Sequence, residues 1–194
     1  VGTTYELLFN VTNPAVGQLS PAISLSATST LVTILASGVE KDSNTIFGIV
    51  GGREPLRVVV PEFTVKAISQ SSPLAGEDNE ITVHLRSSLD LPGPFGSIIV
   101  SNLDGLVETN QIQLFPVTSG NAGEYLFCAS DGSERIGEWD PTSLDLNLTV
   151  CSGKTLEAGV DYKFMIETTN PIVAQSSPSI SILATTPVSY THLR

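Results

Sequence analysis

Residues that could carry out chemistry are few and widely separated in this chain. His84 is the only internal histidine, and no second histidine or cysteine lies near it in sequence to complete a transition-metal site. It falls on the outward phase of a predicted strand, Ile81–Leu85, which favours a solvent-exposed side chain over a catalytic base or metal ligand. We expect neither metal binding nor catalysis at this position.

The acidic run Glu77–Glu80 has two interpretations. Its oxygen atoms could bind Ca²⁺, but their spacing does not match an EF-hand loop. The same charges at a strand edge would block edge-to-edge aggregation, and we favour this interpretation. The sequence leaves calcium binding by Glu77–Glu80 open.

Trp139, the only tryptophan, lies between two carboxylates in a predicted polar loop, Gly132–Pro141. It is a candidate glycan contact, because an indole can stack on a sugar ring; the more common alternative is a tryptophan that plugs the end of a β-sandwich. No pair among the 20 acidic residues stands out as the carboxylates of a glycoside hydrolase, and no glycine-rich phosphate loop is present. We predict no catalytic residues, no cofactor and no enzymatic activity.

Cys128 and Cys151 are 23 positions apart, and both lie near predicted strands. A disulfide between neighbouring strands is the simplest interpretation and implies an oxidising compartment; the alternative is two buried thiols in a cytosolic protein. Two Asn-X-Thr sequons, at Asn10 and Asn147, agree with secretion, since both asparagines take the outward phase of their predicted strands. We expect an extracellular or cell-surface protein with covalent N-linked glycans.

The formal net charge of −11 and the pI near 4.4 argue against two classes of partner. Nucleic acids and anionic membrane surfaces are both bound through Lys and Arg side chains. No apolar run approaches the roughly 18 residues of a membrane-spanning helix. We predict no nucleic-acid binding and no membrane insertion.

An internal repeat organises the elements that position these residues. The stretch Tyr5–Thr28, the first repeat, recurs as Tyr162–Thr185, the second repeat, at a constant offset of 157 residues. Twelve of the 24 positions are identical, with no gap, including an Asn-Pro, a later glutamine and a Ser-Pro. A fixed internal period of this kind is typical of repeat architectures.

Each repeat is predicted to form a strand, a loop and a second strand. Alternate residues of Tyr5–Thr12 are apolar, as in a half-buried strand, and Asn-Pro ends the strand because proline cannot donate to a ladder. The inward side chains of both strands are candidates for joining modules together. In the first repeat these are Tyr5, Leu7, Phe9, Val11, Ile23 and Leu25.

Short β-rich runs with turns about every ten residues predict an all-β fold of immunoglobulin-like antiparallel β-sandwich modules in tandem. Residues 63–187 are predicted to be one complete module, ending in the second repeat. Residues 1–62 are predicted to be the last strands of a preceding module plus connecting strands. Residues 188–194 resemble translated sequencing-adapter read-through, so we expect a non-native tail.

The first repeat would then lack the rest of its sandwich. Three arrangements would cover its apolar face: a small fold completed by residues 29–60, a longer tandem array, or strands supplied by a neighbouring molecule. The connecting strands are predicted at Leu31–Ala36, covered on both faces, and at Thr45–Val50 and Leu56–Val60.

Five motifs in a fixed order resemble a known tandem module. They are Gln70–Pro73, Asn79–Val83, Trp139, Asn170-Pro171 and Gln175–Ile180. Similar modules recur in very large secreted proteins of algae and other protists, some of them similar to flagellar-hair (mastigoneme) proteins. The resemblance covers 63–186 in full and 1–28 in part, and it implies an extracellular, commonly glycosylated structural role.

We therefore predict a structural subunit of an extracellular, glycosylated filament or cell-surface appendage. Its partners would be copies of itself, joined head to tail by strand sharing between sandwich modules. The alternative is a monomeric extracellular adhesion or carbohydrate-binding module, with Trp139 at its binding surface.

Overall fold

The structure is a computed structural model that describes residues 2–106, 110–117 and 121–185, with the backbone alone at residues 121 and 122. The chain divides into two units, Val1–Val60 and Pro61–Arg194. The tail predicted to be non-native, residues 188–194, lies outside the described residues.

Strand is the main regular structure among the described residues of the second unit, because short runs of alternating apolar and polar residues are separated by turns. Among its described residues, a 3-10 helix at Gly123–Leu126 is the only helical segment. The strands are β3 (Phe63–Gln70), β4 (Asp78–Ser87), β5 (Leu91–Pro92), β6 (Ser97–Ser101), β7 (Gln111–Gln113), β8 (Phe115–Pro116), β9 (Asn121–Ala122), β10 (Phe127–Cys128), β11 (Ile136–Asp140), β12 (Asp145–Val150), β13 (Thr155–Leu156), β14 (Tyr162–Thr169) and β15 (Ser181–Thr185).

Two sheets contain most of these strands. One has the order β3-β4-β14-β8 with β9 beside β14, and the other has the order β15-β6-β12-β11-β7 with β10 beside β12. The described pairs are antiparallel except for the parallel pair of β9 with β14. This confirms the predicted all-β antiparallel sandwich, whereas the immunoglobulin-like topology stays a prediction.

The core of the second unit lies between these sheets. Alternate residues of each strand point inward, as the two-residue period of a strand requires, and the rings of Phe127 and Phe164 meet edge to face with centroids 5.5 Å apart. The fully buried side chains include Leu85, Ile98, Val100, Leu114, Phe127, Leu146, Leu148, Val150, Leu156 and Phe164.

The first unit has only two strands among its described residues, β1 (Ser24–Thr28) and β2 (Thr33–Gly38). They form an antiparallel hairpin, whose turn is closed by Ser29 Oγ accepting a hydrogen bond from the backbone N–H of Val32 at 3.0 Å. Every residue of both strands is exposed, and none of the described hydrophobic residues of this unit belongs to the buried core.

Three predicted strands of the first unit are therefore corrected. The segment Thr45–Val50 is a turn, and Leu56–Val60 makes a single bridge. Phe47 and Leu56 adopt positive φ angles of 53° and 60°, which a strand does not allow. The apolar run Leu31–Ala36 does contribute to β2, but it is exposed on both faces, since nothing in its own unit packs against it.

Candidate assembly surface

The second repeat begins with a central strand of the sandwich. All eight residues of β14 pair with β4, from Tyr162 opposite Leu85 to Thr169 opposite Asp78, while β8 and β9 pair along its other side. Its inward side chains Tyr162, Phe164 and Ile166 are 7%, 0% and 1% exposed. Burying side chains of this size stabilises the fold by about 1.5–3 kcal/mol each.

The Asn-Pro of the second repeat ends this strand through a specific anchor. Asn170 Nδ2 donates to the carbonyl oxygens of Ser72 and Leu74 at 2.9 and 2.8 Å, and its Oδ1 accepts from Asn79 Nδ2 at 2.7 Å. Asn79 is buried, and its own Oδ1 accepts from the backbone N–H groups of Ser71 and Ser72, both at 3.1 Å. These bonds satisfy the buried amide of Asn79, so the repeat's asparagine closes a polar network at this end of the sandwich.

The loop of the second repeat then crosses to the other sheet. Gln175 Nε2 donates to the carbonyl of Asp104 at 2.9 Å, which ties the loop to the chain that leaves β6. The strand β15 follows and pairs with β6 along its whole length, from Ser181 opposite Ser101 to Thr185 opposite Ser97.

The first repeat has the same residue types in a different environment. Residues 5–12 form no strand, so the strand predicted there is wrong for this structure. The side chains of Tyr5, Leu7 and Phe9 are 84%, 85% and 81% exposed, and Val11 is also exposed. A strand needs a neighbour to accept its backbone hydrogen bonds, and the first unit offers residues 5–12 none among its described residues.

The later part of the first repeat does have partners inside its own unit. Gln18 Nε2 donates to the carbonyl of Leu56 at 2.6 Å, and its backbone pairs with that of Val58 through two bonds of 2.9 Å. The strand β1 has the same bounds as β15 at the repeat offset, but it pairs with β2 instead of a β6-like strand. Of the remaining predicted assembly residues, Ile23 is half-buried and Leu25 is exposed.

The sandwich has one side that is open. Among the described residues, β3 and β15 each have a neighbour on one edge only, since each ends its sheet. A cavity of about 490 Å³ lies between the two sheets there, lined by Ile68 of β3, Ile81 of β4, Ile166 of β14 and Ile180 just before β15. We call the two unpaired edges and this cavity the open side.

Cys128 and Cys151 form the predicted disulfide, with Cα atoms 5.0 Å apart. Cys128 is the last residue of β10, and Cys151 directly follows β12, with which β10 pairs. The 3-10 helix Gly123–Leu126 directly precedes β10. The disulfide therefore links the short β10 to the central strand of its sheet.

Trp139 lies on β11, not in a polar loop, and is 4% exposed. Its indole packs in the core, and its Nε1 is buried without a hydrogen-bond partner in the described part of the chain. No face of the ring is available to a sugar in this arrangement. The expectation of a glycan contact at Trp139 is thus corrected, and sequence reasoning missed the strand because carboxylates flank the tryptophan on the outward phase.

The acidic run Glu77–Glu80 enters β4, and its Asn79 serves the Asn170 anchor. Within the described residues, no group of three or more His, Cys, Asp or Glu side chains is arranged to hold a metal ion. Asp78 Oδ1 accepts a 3.4 Å hydrogen bond from Thr169 Oγ1 across the strand pair. The run therefore contributes to strand pairing. Because β4 lies between β3 and β14, the run is not at a sheet edge, and the strand-edge interpretation is wrong for this structure.

A cluster that the sequence did not reveal lies on the outer face of the same sheet. His84 Nε2 is 2.7 Å from Asp161 Oδ1, and Arg86 Nε donates to that oxygen at 3.1 Å, while Arg86 Nη2 contacts Oδ2. Hydrogen bonds from Arg86 and then His84 lower the pKa of Asp161, and Asp161 raises the pKa of Arg86. His84 is thus a hydrogen-bond partner of Asp161 on a strand, a role hidden in the sequence because Asp161 lies 77 positions away.

The two sequon asparagines stay predictions of glycosylation. Asn10 is exposed, and Asn147 is half-buried on β12, opposite Ile99 of β6 and Glu138 of β11. Leu146 and Leu148 on either side of Asn147 are buried, so its side chain points away from the core.

Comparison of this chain with protein-family models, curated proteins and solved structures finds no match. The helical residues that the structure describes include no segment long and apolar enough to cross a membrane.

Proposed function

We propose that this protein is a structural subunit that joins copies of itself head to tail, with strands shared between β-sandwich units, in an extracellular and glycosylated filament or appendage. One observation carries the proposal. The first repeat exposes the side chains of Tyr5, Leu7 and Phe9, whereas the equivalent Tyr162, Phe164 and Ile166 are buried in a sheet. A sequence that matches a buried strand, displayed without a sheet, is suited to pairing with another chain.

The energetic argument favours association over permanent exposure. Covering the four apolar side chains on the inward phase of residues 5–12 contributes about 1.5–3 kcal/mol for each one fully buried. Each new backbone hydrogen bond adds roughly 1 kcal/mol net. The loss of translational and rotational freedom opposes association by an estimated 4–15 kcal/mol, so several strands must pair at once for the contact to hold.

The extracellular setting of the proposal is supported by the disulfide Cys128–Cys151, because such bonds persist in oxidising compartments. Glycans at Asn10 and Asn147 are part of the same proposal. The alternative function, a monomeric carbohydrate-binding module, depended on Trp139, and the burial of that side chain leaves it without a specific observation in its favour.

Electron microscopy of the purified chain over a range of concentrations tests the proposal. We expect dispersed particles at low concentration and fibres with a regular axial repeat at high concentration. Particles that stay dispersed at every concentration, with a monomer mass in sedimentation, would contradict it.

A further inference from the structure

The open side of the sandwich, formed by the free edges of β3 and β15 and the cavity between them, is an unfinished surface. Residues at this side, including Phe63, Ile68, Ile180 and Ile182, are apolar and only half-buried. An unpaired strand edge presents backbone N–H and C=O groups that a further strand can satisfy. Because two such edges flank one apolar cavity, this side can accept two strands, one for each sheet.

The first repeat is a pair of segments with the matching distribution. Its equivalent, the second repeat, places one strand in each sheet of the sandwich, β14 in one and β15 in the other. Residues 5–12 correspond to β14 and β1 corresponds to β15, so we expect them to suit opposite sheets. The loop that joins them is as long as the loop between β14 and β15, which crosses from one sheet to the other. The free edge of β1, opposite β2, has no strand beside it among the described residues.

We infer that the open side of one molecule accepts the first repeat of a second molecule. This inference rests on the proposed function. Residues 5–12 of the second molecule pair with β3, and its β1 pairs with β15. Each sheet of the acceptor gains a strand, and the apolar side chains of Tyr5, Leu7 and Phe9 cover the cavity.

This docking displaces no pair that the structure contains. In the acceptor, β14 stays between β4 and β8. In the donor, the hairpin of β1 with β2 stays intact. The donor and acceptor surfaces are different surfaces of the same chain, so the contact is heterologous. Contacts of this class propagate from molecule to molecule and generate open filaments unless they close into rings.

The strand bounds predict which residues meet. Every described pair in the β15 sheet is antiparallel, so we expect β1 to join β15 in that sense. Antiparallel pairing of two five-residue strands places Ser26 opposite Leu183, at their centres. Leu183 is 58% exposed and points away from the core, so two cysteines at this pair would be open to oxidation.

Intermolecular disulfide trapping tests the inference, because both natural cysteines of the chain are already paired. The double variant Ser26→Cys/Leu183→Cys, oxidised under assembling conditions, is expected to give a ladder of trimers and longer species on a non-reducing gel. Either single variant can give dimers at most. The matched control is Ser26→Cys/Asn147→Cys, because Asn147 lies on β12 between two paired strands, and we expect no ladder from it.

A second pair probes the other sheet. Leu8 takes the outward phase of residues 5–12, and Ala67 is exposed on β3 opposite the outward-facing His84. The variant Leu8→Cys/Ala67→Cys is expected to give a ladder of the same kind.

The outcomes separate this inference from the proposed function. Fibres without a ladder from either cysteine pair would overturn the open side as the acceptor while leaving the filament in place. A ladder equally strong in the Asn147→Cys control, or an internal disulfide within dispersed monomers, would also overturn it. Absence of any species above the monomer in sedimentation of the unmodified chain would instead contradict the proposed function itself.

Discussion

The two repeats have half of their residues in common, but they occupy different environments. Tyr162, Phe164 and Ile166 of the second repeat are among the most buried residues of a sandwich, and Tyr5, Leu7 and Phe9 of the first repeat are more than 80% exposed. The strand pattern is the same in both. It follows that an alternating sequence forms a strand only where a neighbouring strand and an opposing apolar face are present.

The contrast extends to the polar residues of the repeat. Asn170 binds the carbonyls of Ser72 and Leu74 and the amide of Asn79. The described residues of the first unit offer Asn13 no β4-like strand with such a turn. Gln18, by contrast, has found a backbone partner at Leu56 within its unit, as Gln175 has at Asp104. The loop of the first repeat is therefore partly organised, while its first strand is not.

The largest expected effect is a difference in stability between substitutions at equivalent positions of the two repeats. Phe164→Ala should lower the free energy of unfolding of the sandwich by about 3–5 kcal/mol, because it removes a fully buried ring that packs on Phe127. The equivalent change Leu7→Ala should alter it by no more than about 0.5 kcal/mol in dispersed protein, as for other exposed sites. Urea unfolding followed by the fluorescence of Trp139, which lies in the sandwich core, measures the change in each variant. Equal losses of stability in the two variants would contradict the difference between the repeats.

The disulfide should stabilise only the unit that contains it. Cys128→Ser/Cys151→Ser opens a loop with a sequence separation of 23 residues. The model of restricted unfolded-state entropy then predicts a loss of about 3 kcal/mol. The urea midpoint of the Trp139 transition should fall accordingly, whereas proteolysis within residues 5–12 should keep its rate. A midpoint unchanged by the double substitution would contradict a stabilising role for this bond.

Substitution of the asparagine in each Asn-Pro gives a matched pair of variants with a smaller expected effect on stability. Asn170→Ala leaves the buried Nδ2 of Asn79 without one of its acceptors and the carbonyls of Ser72 and Leu74 without a donor, for an expected loss of about 1–3 kcal/mol. Asn13→Ala should leave the unfolding of dispersed protein unchanged but weaken assembly, seen as a higher concentration for fibre formation. If Asn13→Ala has no effect on assembly, Asn13 has no anchor in the partner.

The smallest effect concerns pH. Arg86 and His84 lower the pKa of Asp161 in the folded state, so this carboxylate stabilises the fold above its ordinary pKa range. That contribution is lost as the pH falls through the lowered folded pKa. Asp161→Asn should therefore reduce the decline of the urea midpoint between about pH 5 and pH 2.5. An identical decline in the variant and the unmodified chain would mean that the cluster contributes nothing to acid stability.

The sequence predicted much of the second unit and little of the first. In β4, β12 and β14, the two-residue alternation coincides with available neighbours, so the pattern alone was sufficient. It failed at Thr45–Val50, where positive φ at Phe47 and Gly48 breaks an apolar run into a turn. It failed at Trp139 because the carboxylates on either side of the tryptophan masked a strand. That strand pairs with β12, which follows it directly in the chain, and with residues of β7 that lie 23 to 27 positions earlier.

The candidate site was predictable only in part. The repeat predicted which side chains are candidates to face a partner, since the alternation itself separates inward from outward side chains. The open side was not predictable, because a free edge is a property of the order of strands in a sheet, and no residue pattern in β3 or β15 encodes it. The Asp161 cluster and the Asn79 anchor likewise depend on contacts between residues more than 70 positions apart.

Hydrogen exchange of the native chain, followed by mass spectrometry, tests most directly whether the first repeat is made to pair with another molecule. In dispersed protein, we expect the amides of residues 5–12 to exchange as fast as an unstructured peptide and those of residues 162–169 to be protected. On assembly, residues 5–12 should gain protection while residues 162–169 keep theirs. Protection of residues 5–12 in the monomer, or none in the assembled material, would contradict the account.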